Sequence, residues 1–193
     1  MSQNIEIEFK NLLTQEEFTK LKSFFQIEDS MFVKQINHYF DTPTFSLKEL
    51  GCALRIREKN STYEMTLKQP ALEGLLETNQ TLTSTEADVM LKTGLIPDGA
   101  VKDQLDRLNI ALQEIVYFGS LSTERAETEY LNGLIVLDYS SYLNHHDYEL
   151  EYEVNHFETG EKHFLELLHT LDIPVRKTDN KIRRFYHALK KLR

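Results

Sequence analysis

The sequence predicts an α+β fold built on an antiparallel sheet or barrel, and three observations carry that prediction. Eight segments alternate apolar and polar residues with the period of a strand. Most of them are joined by short turn signals, as hairpins are. The few helical patterns fall between them rather than after every strand, as a parallel α/β protein would require.

The first strand is read over 3–10, with Ile5, Ile7 and Phe9 on one face and Asn4, Glu6, Glu8 and Lys10 on the other. Thr14-Gln-Glu-Glu17 has the form of a capping box. It opens a helix to about Phe25 that turns Phe18, Leu21 and Phe24 or Phe25 inward. A strand follows over 31–41 and stops at Pro43. Residues 44–50 form a turn or short helix closed by Gly51. Strand 52–59 sets Leu54 and Ile56 against Arg55, Arg57 and Lys59. Asn60-Ser61 turns the chain into a strand that sets Met65 and Leu67 against Glu64, Thr66 and Lys68 and breaks at Pro70. After Gly74, strand 75–82 carries Glu77 and Asn79. Ser84 or Thr85 caps a helix through Lys92, and a second helix over 98–110 buries Val101, Leu105 and Leu108.

The second half repeats this style. Strand 115–129 carries Arg125 and Glu127, and Asn132-Gly133 reads as a hairpin turn. Strand 134–142 contains Asp138. Strand 147–154 sets Leu150, Tyr152 and Val154 against Glu149, Glu151 and Glu153. A helix is expected over 161–171. The segment from Asp179 to Leu192 reads as a basic amphipathic helix with Ile182, Phe185, Leu189 and Leu192 on one face. No linker and no short repeat interrupts the chain, so residues 1–193 are read as one domain.

Composition bounds what the fold can do. The 193 residues carry a net charge of −9, which argues against a general nucleic-acid binder. No stretch of about 18 apolar residues predicts a membrane helix. The N-terminus lacks the basic and apolar regions of a signal peptide. A lone cysteine, Cys52, cannot form an internal disulfide and reads as a small buried side chain. The expectation is a soluble cytoplasmic protein; its oligomeric state stays open.

The polar strand faces carry fixed charge. Glu6, Glu8, Glu149, Glu151 and Glu153 make acidic faces, and Arg55, Arg57, Lys59 and Lys68 make basic ones. A solvated outer face would explain any single strand. Two arguments weigh against that for the whole set. Like charges at i and i+2 lie about 7 Å apart on one face and repel. The helices must also cover the apolar faces, so the charged faces point the other way, which in a closed barrel is inward. An enclosed charged wall needs ligands. Clustered carboxylates are hard oxygen donors suited to Mg²⁺ or Mn²⁺. Clustered Arg and Lys suit phosphate oxygens.

These residues resemble a known family. Glu6-Ile-Glu8-Phe-Lys10 is similar to the N-terminal signature of the CYTH superfamily, the triphosphate tunnel metalloenzymes. The resemblance continues in order through Tyr39-Phe-Asp41-Thr-Pro43, Leu54-Arg55-Ile-Arg57, Leu67-Lys68-Gln-Pro70, Arg125, Asp138, Glu149-Leu-Glu151-Tyr-Glu153 and Asn180-Lys181-Ile-Arg183-Arg184. It spans nearly the whole chain and is nearest to the bacterial YjbK-like branch.

The resemblance implies an eight-stranded antiparallel β-barrel with helices packed outside. It implies a metal held by Glu6 and Glu8 with Glu151 and Glu153, Glu149 being the alternative on the last strand. Asp138 would support the metal or a water. Arg55, Arg57, Lys68, Arg125, Lys181 and Arg184 would hold the substrate, and Lys10 with Tyr39 would assist hydrolysis. Glu64, Glu77 and Glu127 share the inward parity and would tune the cations or meet a second metal.

The implied reaction is hydrolysis of a small triphosphate, foremost inorganic triphosphate, with release of orthophosphate. Two other members of the family's repertoire are a class IV adenylate cyclase and a thiamine triphosphatase. A non-enzymatic polyphosphate-binding module is the remaining alternative, and carboxylates beside phosphate speak against it unless a metal intervenes. His145-His146 reads as a solvated turn. Arg183, Lys190, Lys191 and Arg193 read as a solvated helix face.

Overall fold

The computed structural model describes residues 2–191. Eight strands form a closed barrel in the order β1-β5-β4-β3-β2-β6-β7-β8. They are β1 (Ser2–Leu13), β2 (Val33–Asp41), β3 (Ala53–Lys59), β4 (Thr62–Pro70), β5 (Leu75–Leu82), β6 (Val116–Tyr130), β7 (Gly133–Tyr142) and β8 (His145–Val154). The helices are α1 (Gln15–Phe24), α2 (Ser46–Glu49), α3 (Ser84–Thr93), α4 (Ala100–Arg107), α5 (Phe157–Thr170) and α6 (Lys181–Lys191). The expected α+β barrel is therefore observed. The predicted C-terminal positions Leu192 and Arg193 lie outside the described residues. No helix among those described is long and apolar enough to cross a membrane.

The chain divides into two compact units, Met1–Ile5 with Gln35–Leu121 and Glu6–Lys34 with Ser122–Arg193. The first has a core of Leu54, Ile56, Met65, Leu67 and Leu82 from β3–β5, covered by Ala87 and Met90 of α3 and Val101 and Leu105 of α4. Cys52 is buried in this core, and burial pushes its thiol pKa up, so it is a packing residue as expected.

The second unit has its own core. Ala126, Ile135, Leu137, Leu150 and Tyr152 of β6–β8 pack against Phe18 and Leu21 of α1 and Phe164, Leu167 and Leu168 of α5. Helix α5 approaches closely at Gly160, where a Cβ would fall 2.5 Å from Val154 Cγ2 and 2.9 Å from Phe9 Cε2. In both units the helices cover the apolar strand faces, so Arg55, Arg57, Lys68, Asp138, Glu149 and Glu151 lie on the opposite ones.

Several local expectations shift. The hairpin between β6 and β7 turns on Leu131-Asn132, both at positive φ, and not on Asn132-Gly133. Gly133 pairs with Tyr130 instead, and a Cβ there would meet the Tyr152 ring at 2.5 Å. The glycine thus serves the ring, while the tighter turn is locked by Tyr152 Oη donating to the carbonyls of Tyr130 and Leu131.

A second Leu-Asn pair, Leu143-Asn144, makes the next turn with the same positive φ. Strand β8 therefore starts at His145, and His145 and His146 are exposed strand residues rather than a loop. Thr83, not Ser84 or Thr85, caps α3, because its hydroxyl accepts from the Glu86 N–H while Glu86 accepts from the Thr83 N–H. Phe24 is exposed, whereas Phe18 and Leu21 are buried. Helix α5 begins four residues earlier than its sequence pattern indicated.

Candidate active site

In the second unit, strand pairing assembles an acidic wall. In the antiparallel pair of β1 and β8, Glu8 is opposite Glu153, and Lys10 is opposite Glu151. Across β6, β7 and β8, Arg125 is opposite Asp138, which is opposite Glu149. Period-two alternation keeps all of these on one face.

The carboxylates fall into two trios. Glu6, Glu8 and Glu153 bring one oxygen each within 4.8 Å of one another, and so do Asp138, Glu149 and Glu151. The second trio is buried and wrapped around cations. Arg125 Nε and Nη2 donate to the two oxygens of Asp138 at 2.8 and 2.6 Å, and Nη2 also reaches Glu151 at 2.7 Å. Lys181 Nζ lies 2.8 Å from Asp138 and 2.6 Å from Glu149 and also pairs with Glu151. Arg184 Nη2 donates to Glu149 at 2.7 Å, and its Nε donates to Asp147 at 3.1 Å.

Charge pairing overrides burial inside this network. Burial alone would raise the Glu151 pKa, but Lys181, Arg125 and Lys10 outweigh it and hold the carboxyl well below its ordinary range. Burial would likewise lower the Lys181 pKa, yet Asp138, Glu149 and Glu151 raise it well above the lysine value. Arg125 behaves the same way through Asp138 and Glu151.

The first trio is different. Lys10 pairs with Glu8, and Glu153 meets Arg125 only at 3.9 Å. Burial pushes the Glu153 pKa up to about 7, and Glu151, Glu6 and Glu8 add to the rise against the pull of Arg125. This carboxylate is thus largely withdrawn from solvent without a cation in close contact.

The first unit presents a basic wall. Arg55 and Arg57 lie on β3, opposite Tyr39 and Asn37 of β2. Lys68 of β4 is opposite Glu77 of β5, with Nζ 2.7 Å from its carboxylate, while Arg55 Nη2 is 4.0 Å from the same group. Burial would raise the Glu77 pKa, but Lys68 and Arg55 bring it below the usual value. Arg57 Nε donates to Asn37 Oδ1 at 3.3 Å. Tyr39 is buried and stacks on Phe118 with ring centroids 6.2 Å apart.

Most of the charged residues singled out in the sequence thus fall in one of the two walls, each within its own unit. Glu6, Glu8 and Glu153 group together; Glu151 and Glu149 go instead with Asp138, Arg125, Lys181 and Arg184. Glu77 sits among the cations of its unit, whereas Glu127 is exposed. Asp147 and Asn37 were missed. Both share the parity of residues that were found, Asp147 with Glu149 and Asn37 with Tyr39, so alternation was the available signal.

Comparison with known proteins shows the family of the chain. The CYTH domain model matches residues 4–186. A Bacillus subtilis (strain 168) protein, YjbK, named as a candidate triphosphatase, is 51% identical over 191 residues, 99% of each chain. The crystal structure of a candidate adenylate cyclase from Bacillus halodurans is 46% identical, covers 96% of this chain and all of its own, and superposes with a TM-score of 0.93. A Hippeastrum protein described as a candidate adenylyl cyclase with a dominant triphosphatase activity shares the fold at 22% identity and a TM-score of 0.79, over 95% of this chain and 96% of its own.

Proposed function

Given that this chain belongs to the CYTH family, we propose that it is an enzyme that hydrolyses triphosphates, and that it does so with a divalent metal. The activity rests on 51% identity to a candidate triphosphatase along 99% of the chain. The single observation that carries the metal is the trio of Glu6, Glu8 and Glu153, whose oxygens lie within 4.8 Å of one another.

Three hard oxygen donors fit Mg²⁺ or Mn²⁺. The raised Glu153 pKa supports that fit, because a carboxylate short of compensating charge gains most from a cation. Bound there, the ion would neutralise phosphate charge and make a water more acidic. Glu151 and Glu149 are then assigned to the cation network rather than to this ion.

The remaining roles follow from the contacts of each side chain. Arg55, Arg57 and Lys68 would bind phosphate oxygens from the basic wall, and Arg125, Lys181 and Arg184 from the acidic one. Asp138 directs both oxygens at Arg125 and one also at Lys181, so it would act on substrate by aiming those two cations. Lys10, between Glu8 and Glu151, would stay protonated. Burial works against that charge, but Glu8, Glu151 and Glu149 raise its pKa. A protonated Lys10 would stabilise charge on the transferring phosphoryl group. Tyr39, paired across the strands with Arg55, would orient that guanidinium. We read residues 4–186, the span that the CYTH domain model matches, as one domain.

Inorganic triphosphate is the proposed substrate, in a protein of the cytoplasm with no nucleic-acid or membrane partner. The experiment is a panel of inorganic triphosphate, ATP and thiamine triphosphate with Mg²⁺ or Mn²⁺, read for phosphate, pyrophosphate and cyclic nucleotide. Orthophosphate release that requires metal and is lost in Glu6→Ala supports the reading. No release from any substrate overturns it. The likeness to a candidate adenylate cyclase at 46% identity favours one second reading, cyclisation of ATP, which the same panel reports as cyclic nucleotide with pyrophosphate.

A further inference from the structure

Between α5 and α6 the chain runs through residues 172–180 without helix or strand, and this strap delivers Lys181 into the acidic wall. A strap with no ladder of its own needs other partners for its backbone groups. Its side-chain holds converge on the end of β1. Asn11 is fully buried and is opposite Leu150, so it faces away from the charged wall that its neighbour Lys10 joins. Its Oδ1 accepts from the Arg176 N–H at 2.6 Å, and its Nδ2 donates to the Pro174 carbonyl at 3.1 Å. One carboxamide thus grips the strap on both sides of Val175.

Two further holds flank it. The Leu12 N–H donates to Thr178 Oγ1 at 2.9 Å, and that hydroxyl donates to the Arg176 carbonyl at 3.0 Å. The Arg176 guanidinium donates to the Leu12 carbonyl at 2.9 Å and bidentately to Glu17 at 2.8 Å. Thr178 is three residues from Lys181, a span of at most about 11 Å, so the position of the strap limits where the amine can sit.

We infer that Asn11 is a positioning residue: by clamping residues 174–176 to β1 it fixes the start of α6 and holds the Lys181 amine among Asp138, Glu149 and Glu151. The consequence for catalysis rests on the reading of Lys181 as a phosphate-binding group. A carboxamide is suited to the task because it donates and accepts at once. Leucine is similar in size but leaves the Arg176 N–H and the Pro174 carbonyl without their partner. A shift of about 1 Å at a binding cation suffices to cost roughly a hundredfold in rate.

The test compares Asn11→Leu and Thr178→Val with the unaltered chain. The first readout does not depend on activity. Competitive acetylation of lysine amines, resolved by mass spectrometry, is expected to label Lys181 several-fold faster in Asn11→Leu, and to a smaller degree in Thr178→Val. Lys22, paired on the surface with Asp29, should be unchanged in both.

The second readout is a cycle with Lys181→Ala. Asn11→Leu is expected to raise KM for triphosphate about tenfold in the unaltered background and less than twofold in Lys181→Ala. Unchanged Lys181 labelling, or equal losses in both backgrounds, overturns the inference. If Asn11→Leu does not fold, Thr178→Val decides by the same two criteria. If Lys181 labelling changes but the unaltered chain hydrolyses no triphosphate, the positioning stands and the functional reading falls.

Discussion

Glu8 of β1 and Glu153 of β8 are directly opposed in the strand pair, two carboxylates where cross-strand neighbours ordinarily carry opposite charges. With Glu6 they form a trio of like charge whose repulsion is built into the fold.

Burial of Glu153, with that repulsion added to it, is a stability cost with a known sign. The Glu153 pKa stands at about 7 against an ordinary 4.5, so ionising it at neutral pH works against the folded state. Glu153→Gln is expected to stabilise the metal-free protein by on the order of 1 kcal/mol after solvent screening. For a chain of this size that is about 2–4 °C in Tm. On the proposed metal site, Mg²⁺ should raise the Tm of the unaltered chain, and the same substitution should abolish that rise. Calorimetry in chelator and in Mg²⁺ checks both, and a lower Tm in chelator would contradict the charge argument.

The buried network should respond in the opposite way. Asp138 is wholly buried and holds both Arg125 and Lys181. Removing one member of a buried ion cluster costs about 3–5 kcal/mol because it strands its partners. Asp138→Ala should fall near the lower end, since Glu149 and Glu151 remain beside Lys181. Urea unfolding measures the loss; a change below about 1 kcal/mol would show that the network contributes no net stability.

Acid should loosen the hold of Glu17 on the strap. Hydrogen bonds from Arg176 lead the effects that hold the Glu17 carboxyl below its ordinary value of 4.5, with the Thr14 N–H adding to them against burial. A depressed folded-state pKa gives stability that is fully present above the unfolded value. It is lost as pH falls through the folded one, so the window lies below about pH 4.5. Glu17→Gln is expected to lower stability at pH 7 and to flatten its decline below pH 4.5, as thermal melts across pH 3–7 would show. Parallel curves for the two proteins would refute the linkage.

Sequence by itself determined which residues share a face. Alternation put Glu6, Glu8, Lys10, Arg55, Arg57, Lys68, Arg125, Asp138 and the three glutamates of β8 opposite the apolar positions, because a strand's period of two assigns sides without further information. The need for helices to cover the apolar faces turned that parity into a charged interior, and the observed barrel agrees.

Only the tertiary structure decided which of those residues meet. Parity repeats every two residues and carries no register, so Glu149, Glu151 and Glu153 were equivalent until the chain was folded. The pairing of β8 with β1 and β7, continued through the Leu143-Asn144 turn, sets Glu153 against Glu8 and Glu149 against Asp138. The strap was beyond reach for the same reason in stronger form. Asn11 and Arg176 are 165 residues apart, and a segment without helix or strand has no periodicity from which to read a partner.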